Sequence, residues 1–350
     1  MHPRDANDGL PNWRRAHGAA AVCARAKSCP EDFRVTEILD FVPDGSGEHD
    51  WLWIEKRDAN TAWLARRLAA HAGVAAADVG YAGMKDRVAV TRQWFSVRRP
   101  GGARADWSAL ALPGVTLLEQ TRNSRKLRRG AHRGNAFELR LRDVDGAPSE
   151  RLALIAAQGV PNYFGAQRFG RDGGNLALAR ALIAGARFKR DKRSLALSAA
   201  RSYLFNLILE RRVAADNWNV LLPGDIANLD GSNSVFAFEA VDDTLLQRCA
   251  ALDVHPSGAL WGRGGDAPGQ RILPSEAAAV AAEAQLAAGL ERFVAAGRRP
   301  LRVAVEELRW EQAADSLLLC FRLRRGAYAT AVLRELTRCR EAAQDFRSST

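Results

Sequence analysis

The hydrophobic pattern of this 350-residue chain divides it into two strand-rich ends and a more helical middle. Alternation with period two, which places every second side chain on one face of a strand, is seen over residues 33–38, 51–56, 88–97, 136–142, 302–308 and 317–323. Apolar residues recur at helical spacing over 149–159, 176–183, 198–213, 275–296 and 329–338. One further strand is predicted at 235–239. The pattern predicts a mixed α+β protein, and the length suits two domains.

A short helix and a glycine-containing loop are predicted between the second and third strands. Asn60 or Thr61 can cap the helix, and Gly73 ends it. The loop follows at residues 80–87, before the strand at 88–97. This loop contains a single carboxylate, Asp86, in a strongly basic protein.

The charge balance indicates a polyanionic partner. Lys plus Arg number 51 and Asp plus Glu number 40, which gives a net charge of +11. Such an excess is typical of nucleic-acid binding, although a coding bias towards arginine and alanine would produce it too. The five cysteines form no CxxC pair, and no segment resembles a signal peptide or approaches the roughly 20 apolar residues of a membrane span. We therefore expect a cytoplasmic protein with reduced thiols and no membrane association.

Two basic runs are candidate phosphate contacts. The first contains Arg122, Arg125, Lys126, Arg128, Arg129 and Arg133, and the second contains Arg187, Lys189, Arg190, Lys192 and Arg193. Phosphate contacts dominate the affinity of proteins for nucleic acids. Each run alone could equally be a solvated surface.

The sequence offers little support for metal or cofactor chemistry. The six histidines form no HxxxH or HxE pattern, and neither a GxxxxGK[ST] phosphate loop nor a GxSxG elbow is present. A cofactor-free, metal-free reaction driven by a carboxylate is the simplest enzymatic interpretation. Asp86 can act as a nucleophile only while ionised, which requires a nearby cation. On an extended chain, the side chains of its neighbours Lys85 and Arg87 point to the face opposite that of Asp86, so a distant basic residue is favoured as its partner. Alternatively, Asp86 only caps a turn.

The loop and the following strand resemble the catalytic motif of the TruD family of tRNA pseudouridine synthases. The resemblance rests on Gly80-Tyr81-Ala82-Gly83-Met84-Lys85-Asp86-Arg87 with Ala89-Val90-Thr91-Arg92-Gln93-Trp94. Five more blocks are similar to family blocks and follow the family order: residues 27–33, 134–137, 159–170, 197–202 and 332–336. The resemblance extends from about Lys27 to the last helix.

The resemblance implies a fold and a domain organisation. The two ends, residues 1–158 and 303–350, would form a discontinuous pseudouridine synthase catalytic domain with a mixed, mainly antiparallel sheet flanked by helices. The middle, residues 159–302, would be a family-specific α/β insertion domain. Periodicity alone does not show that the two ends join.

The resemblance also implies a reaction and its residues. Uridine in tRNA, at position 13, would be isomerised to pseudouridine without a cofactor or a metal. Asp86 would be the catalytic aspartate, either as a nucleophile at C1′ or by assisting glycal formation, and Lys27 would be the cation that keeps it ionised. Phe33, Asn135 and Tyr328 would bind substrate, although Tyr328 stands where the family commonly has phenylalanine.

Some assignments remain open on the sequence. Phe137 is a core residue or a ring that stacks on the target uracil, and the resemblance favours stacking. Asn162, Tyr163, Arg168 and Phe169 are structural residues or RNA contacts. The basic runs would be the tRNA footprint, with no obligate protein partner implied. A non-catalytic RNA chaperone and an enzyme acting on mRNA or ribosomal RNA are the alternative functions.

Overall fold

The computed structural model describes residues 11–99, 105–264 and 271–341, and the side chains only as far as 338. Residues 1–10 and 342–350, which belong to the predicted catalytic domain, lie outside the described residues, as does the side chain of Cys339. The described chain forms two compact units. We call residues 20–152, 305–329 and 336–341 the sheet unit, and residues 11–19, 153–304 and 330–335 the helical unit.

The amino-terminal part of the sheet unit alternates strands with one long helix. Its elements are β1 (Val22–Ala26), β2 (Phe33–Ile38), β3 (His49–Arg57), α1 (Thr61–Ala72), β4 (Val79–Tyr81), β5 (Val90–Arg98), β6 (Val115–Asn123) and β7 (Gly134–Gly146).

The middle of the chain contains most of the helices. Its elements are α2 (Ser149–Gln158), β8 (Val160–Pro161), α3 (Gly174–Ile183), α4 (Arg190–Ala214), β9 (Ile226–Leu229), β10 (Val235–Ala237), α5 (Asp243–Ala250), β11 (Val254–Leu260), α6 (Pro274–Ala279), α7 (Ala284–Glu291), β12 (Gly297–Pro300) and β13 (Arg302–Val303). The carboxy-terminal elements are β14 (Glu306–Ala313), β15 (Ser316–Arg324), α8 (Ala329–Leu336) and β16 (Thr337–Glu341).

One large sheet forms the sheet unit. Its strand order is β14-β15-β7-β2-β5-β3-β6, with β1 beside β7 and β16, and β4 beside β5. Among the described strands, β2 with β5 and β1 with β16 are parallel, and the other pairs in this sheet are antiparallel. The two strand-rich ends of the sequence therefore join through β15 and β7. The predicted α+β class with a mainly antiparallel sheet is confirmed.

Helix α1 covers part of this sheet, and its ends are those that the sequence predicts. The Asn60 side chain accepts a hydrogen bond from the backbone N–H of Ala62 at 2.8 Å, and Gly73 ends the helix with φ of +66°. Leu64 and Leu68 are fully buried among apolar side chains that include Phe95. Burying each leucine contributes roughly 1.5–3 kcal/mol.

The helical unit has its own core. Helix α4 contributes the fully buried Leu204, Phe205 and Leu209 to this core. A four-stranded sheet of order β10-β9-β11-β12 and the short pair β8 and β13 complete the unit. This combination of helices and sheet has the α/β character predicted for 159–302. The unit also includes residues 11–19, 153–158, 303–304 and 330–335, which lie outside that predicted range.

Three predicted elements differ from the structure. The helix predicted at 275–296 is two helices, α6 and α7, because Val280 leaves helical geometry and buries its side chain in the core. The strand predicted at 302–308 is also two elements: β13 pairs with β8, and β14 pairs with β15. The last helix ends at Leu336, where pairing with β1 turns the chain into β16.

Candidate active site

Asp86 lies in the loop that joins β4 to β5 in the sheet unit. Its carboxylate accepts a hydrogen bond from Lys27 Nζ at 2.8 Å, and 47% of the Asp86 side chain is exposed. Lys27 has a φ of +56° and lies just after β1, with its ammonium 4.0 Å from the centre of the Phe33 ring. The fold thus brings together three of the residues singled out in the sequence. The Asp86 side chain is thus partly exposed to solvent and paired with a cation.

Neither neighbour of Asp86 in the sequence pairs with it. Lys85 Nζ lies 2.8 Å from Glu37 Oε2, and Arg87 Nε lies 3.4 Å from Asp58 Oδ1. The prediction that a distant cation would pair with Asp86 is consistent with this geometry. The loop therefore directs three successive charged side chains to three different partners.

A buried ion pair lies beside the loop. The side chains of Lys85 and Glu37 are 5% and 0% exposed, and Glu37 Oε1 accepts from the backbone N–H of Trp94 at 3.2 Å. His132 lies close to both Gly83 and Lys85. Burial lowers the pKa of His132 to about 4, and the positive charges of Lys85 and Arg325 lower it in the same direction. His132 is therefore neutral at pH 7.

Two buried polar side chains fix the loop backbone. Gln93 Nε2 donates to the Gly83 carbonyl at 3.1 Å, and the Lys85 backbone N–H donates to Thr61 Oγ1 at 3.0 Å. Thr61 Oγ1 in turn donates to Gln93 Oε1 at 3.1 Å. Both side chains are fully buried, so these bonds are shielded from water. They preorganise the segment that carries Asp86.

The predicted substrate-binding residues Phe33, Asn135 and Phe137 lie on one face of the sheet. The registers of β2 and β7 place Phe137 opposite Val35 and Asn135 opposite Glu37. Phe137 stacks on Phe321, with ring centres 5.3 Å apart, and meets the edge of Phe33 at 6.2 Å. It is 8% exposed, so it packs in the core in this structure. Its predicted role against uracil stays a prediction.

Asn135 and Tyr328 differ in their environment. Asn135 Oδ1 is buried, and no donor in the described part of the chain reaches it. Tyr328 comes from a separate segment, after β15 and just before α8, and it is 38% exposed. An acceptor without a donor and an exposed ring are both features that a ligand can use.

The first basic run is only partly available for RNA. Arg122 Nε donates to the Gly47 carbonyl at 2.9 Å, and the Arg129 guanidinium covers the Tyr81 ring at 3.6 Å. The side chains of Arg125, Arg128 and Arg133 are exposed. The backbone N–H of Gly130, within this run, donates to the Ala82 carbonyl at 2.7 Å, which links the run directly to the loop of Asp86.

The second basic run and the block at 162–169 belong to the helical unit. The basic run is exposed and leads into the start of α4. Asn162 Nδ2 donates to the Pro300 carbonyl at 2.8 Å, Tyr163 donates to Glu210 Oε2 at 2.9 Å, and Phe169 is fully buried. Arg168 Nη1 donates to Ser198 Oγ at 2.9 Å. These contacts give the block a structural role within its unit.

Sequence reasoning missed the polar residues that support the loop. Glu37, Thr61, Gln93 and Lys56 are all nearly or fully buried, and each contacts the segment from Gly83 to Asp86. The sequence contained a signal for one of them, Lys56. Lys56 continues the inward-facing alternation of Leu52 and Ile54, where an apolar residue is expected.

Among the residues that the structure describes, no group of three His, Cys, Asp or Glu side chains is placed to hold a metal ion. No helix in the described ranges is long and apolar enough to cross a bilayer.

Comparisons with known proteins agree on one family. A family model described as tRNA pseudouridine synthase D (TruD) matches residues 16–190 and 179–336. The protein named tRNA pseudouridine synthase D from Methylococcus capsulatus is 49% identical over 335 residues, covering 94% of this chain and 95% of its own. That of Chromohalobacter salexigens is 48% identical over 338 residues, covering 93% and 96%. A crystal structure from Methanosarcina mazei, described as tRNA pseudouridine synthase D, shares the fold with a TM-score of 0.68 at 20% identity, over 94% of this chain and 96% of that one.

Proposed function

This chain belongs to the TruD family of tRNA pseudouridine synthases, and from that premise we propose that Asp86 is its catalytic aspartate and Lys27 the cation that keeps the carboxylate ionised. The chain is an isomerase that converts uridine to pseudouridine in tRNA. The observation that carries the proposal is the 2.8 Å ion pair between Lys27 and the half-exposed Asp86. An ionised, accessible carboxylate is what a nucleophile or a base requires.

The reaction balances without any added group. The bond between C1′ and N1 of the uridine breaks, the uracil turns, and a bond between C1′ and C5 forms. C5 loses a proton and N1 gains one, so nothing is oxidised or reduced. Asp86 would either attack C1′ or assist formation of the glycal, and both routes use the same ionised carboxylate.

Four side chains would bind the target nucleotide. A uridine must leave its stack before an enzyme can reach C1′, and its faces then need new apolar neighbours. Phe33, Phe137 and Tyr328 would supply aromatic surface, and the unpaired Asn135 Oδ1 would accept a hydrogen bond from the base. Phe137 is buried in this structure, with 8% of the residue exposed, so it would contact the base only through the exposed part of its ring.

The tRNA footprint would include the exposed arginines beside the loop. Arg125, Arg128 and Arg133 lie in the segment that bonds to the loop through Gly130 and Ala82. The exposed run from Arg187 to Arg193 would add contacts from the helical unit. The domain arrangement would be the catalytic domain at 1–158 and 303–350 with an insertion at 159–302. The target would be position 13 in cytoplasmic tRNA, modified without an obligate protein partner.

The test is pseudouridine mapping of bulk tRNA by carbodiimide-stop sequencing. Wild-type protein should create one new stop, at position 13, and Asp86→Asn should create none while binding tRNA with an unchanged Kd. Asp143→Asn is a matched control, since Asp143 is another exposed carboxylate that pairs with an arginine of the sheet unit, Arg25.

Three results would contradict parts of the proposal. Pseudouridine formation by Asp86→Asn would exclude Asp86 as the catalytic group. Tight binding without product in any RNA would favour the chaperone alternative. Stops confined to mRNA or ribosomal RNA would keep the chemistry and change the substrate.

A further inference from the structure

Lys56 is a fully buried lysine at the carboxyl end of β3. Its Nζ donates to the Ala59 carbonyl at 2.6 Å and to the Asp86 carbonyl at 2.9 Å. In the described part of the chain, no carboxylate lies within ion-pair distance of this ammonium. A buried charge is normally paired with an opposite charge, so this arrangement needs an explanation.

Lys56 lies among buried polar side chains next to the loop of Asp86. Thr91 is the strand neighbour of Lys56 in the register of β3 and β5, and its hydroxyl is buried without a partner among the described residues. Thr61 and Gln93 are the other two polar side chains, and they are hydrogen-bonded to each other. Gln93 bonds to the backbone of Gly83, Thr61 to that of Lys85, and Lys56 to that of Asp86. The loop is thus held at three of its residues.

Stability does not account for a lysine at this position. Removing an ammonium from water without a carboxylate partner is costly, and an apolar side chain of similar length would avoid that cost. Burial is the main reason that the pKa of Lys56 falls to about 8; the negative charge of Asp86 opposes this shift, the positive charge of Lys85 contributes to it, and Asp58 opposes it. These are the charged groups that face the ammonium. What the charge does provide is a strong hydrogen bond to the peptide of Asp86.

We propose that Lys56 is a positioning residue for the reaction, which fixes the Asp86 peptide and adds positive charge near the carboxylate that pairs with Lys27. This role rests on the proposed function of Asp86. The protonated form of Lys56 is the competent one. The rate should therefore be at its plateau below about pH 8 and decline above it, as the ammonium loses its proton.

The test uses single-turnover pseudouridine formation with the full chain and unmodified tRNA. Lys56→Met removes the charge and both hydrogen bonds, and Lys56→Gln removes the charge but keeps an amide donor. Both should lower the single-turnover rate constant about 10- to 100-fold with tRNA affinity unchanged. In both, the decline above pH 8 that the wild-type protein shows should be lost. A purely structural lysine would not carry that part of the pH profile.

A matched control separates positioning from general destabilisation. Arg298 is another buried cation, in the helical unit, and it pairs with Glu276 at 2.9 Å. Arg298→Met should lower thermal stability while the rate per folded molecule and the wild-type pH profile are kept. If Lys56→Met does not fold, Lys56→Gln decides by the same two measurements.

The outcomes are distinguishable. An unchanged single-turnover rate constant in the Lys56 variants, or a reduced one that keeps the alkaline decline, would overturn the role of Lys56 alone. A loss of rate that matches the loss of folded protein would overturn it too. Absence of pseudouridine with the wild-type protein would overturn the proposed function, and the role of Lys56 with it.

Discussion

The buried ion pair between Lys85 and Glu37 should be the most sensitive stability element near the loop. Lys85→Met would leave the Glu37 carboxylate, which is 0% exposed, without its cation. Removing one partner of a buried ion pair costs about 3–5 kcal/mol, because the other charge stays buried. In larger domains 1 kcal/mol corresponds to about 2–4 °C in Tm, so we expect a decrease of at least about 6 °C.

A double-mutant cycle tests the physical cause. Glu37→Gln keeps an oxygen for the Trp94 N–H but removes the charge, so Lys85→Met combined with Glu37→Gln should regain most of the lost stability. Calorimetric unfolding of the four proteins measures the effect. Arg322→Met is the control for an exposed pair, since Arg322 and Glu307 are 48% and 51% exposed, and it should cost less than about 1 kcal/mol.

The reasoning would be refuted by either of two results. Lys85→Met could lower Tm by less than about 2 °C, which would mean that water reaches Glu37. Alternatively, the double variant could be as unstable as the sum of the two single variants. In that case each side chain would contribute independently, and the ion pair would not be the source of the stability.

Three further predictions concern the same region. Lys27→Met should lower the single-turnover rate constant at least about tenfold but change stability by less than about 1 kcal/mol, since its pair with Asp86 is partly exposed. Single-turnover rates and thermal unfolding test this, and a large loss of stability would contradict it. Gly80→Ala should destabilise by about 1–3 kcal/mol, because a Cβ there would overlap the Leu127 carbonyl and stand 2.6 Å from Ser96 Oγ, whereas Gly174→Ala, at an open position, should be tolerated. Burial lowers the pKa of His132 to about 4, so the unfolded chain takes up this proton first as the pH falls, and stability should decrease between pH 6.5 and about 4. Urea titrations should show a smaller decrease of stability with pH in His132→Phe, and an equal decrease in both proteins would exclude His132 as the cause.

Several segments were not predicted as strands, for identifiable reasons. β11 contains Pro256 and Gly258, which weaken any strand signal, and its pairing with β9 and β12 overrides that local preference. β6 is an edge strand of the sheet and has no regularly buried face, so its sequence shows little of the apolar–polar alternation by which a strand is predicted. β16 follows α8 without a break, and only its parallel neighbour β1 makes it a strand.

The sequence by itself determined the local features of this protein. The cap at Asn60, the end of the helix at Gly73, and the shared face of Phe137 and Leu139 follow from interactions within a few residues. The motif around Asp86, together with five further blocks in the family order, was also sufficient to indicate the family.

Only the tertiary structure decided which charges meet. Lys27 and Asp86 are 59 residues apart, and Lys85 and Glu37 are 48 apart; both pairs depend on how the sheet brings distant segments together. Periodicity assigns a side chain to a face of a strand but not to a partner on another strand. The buried position of Lys56 under the Asp86 peptide follows from that same assembly, which no local pattern contains.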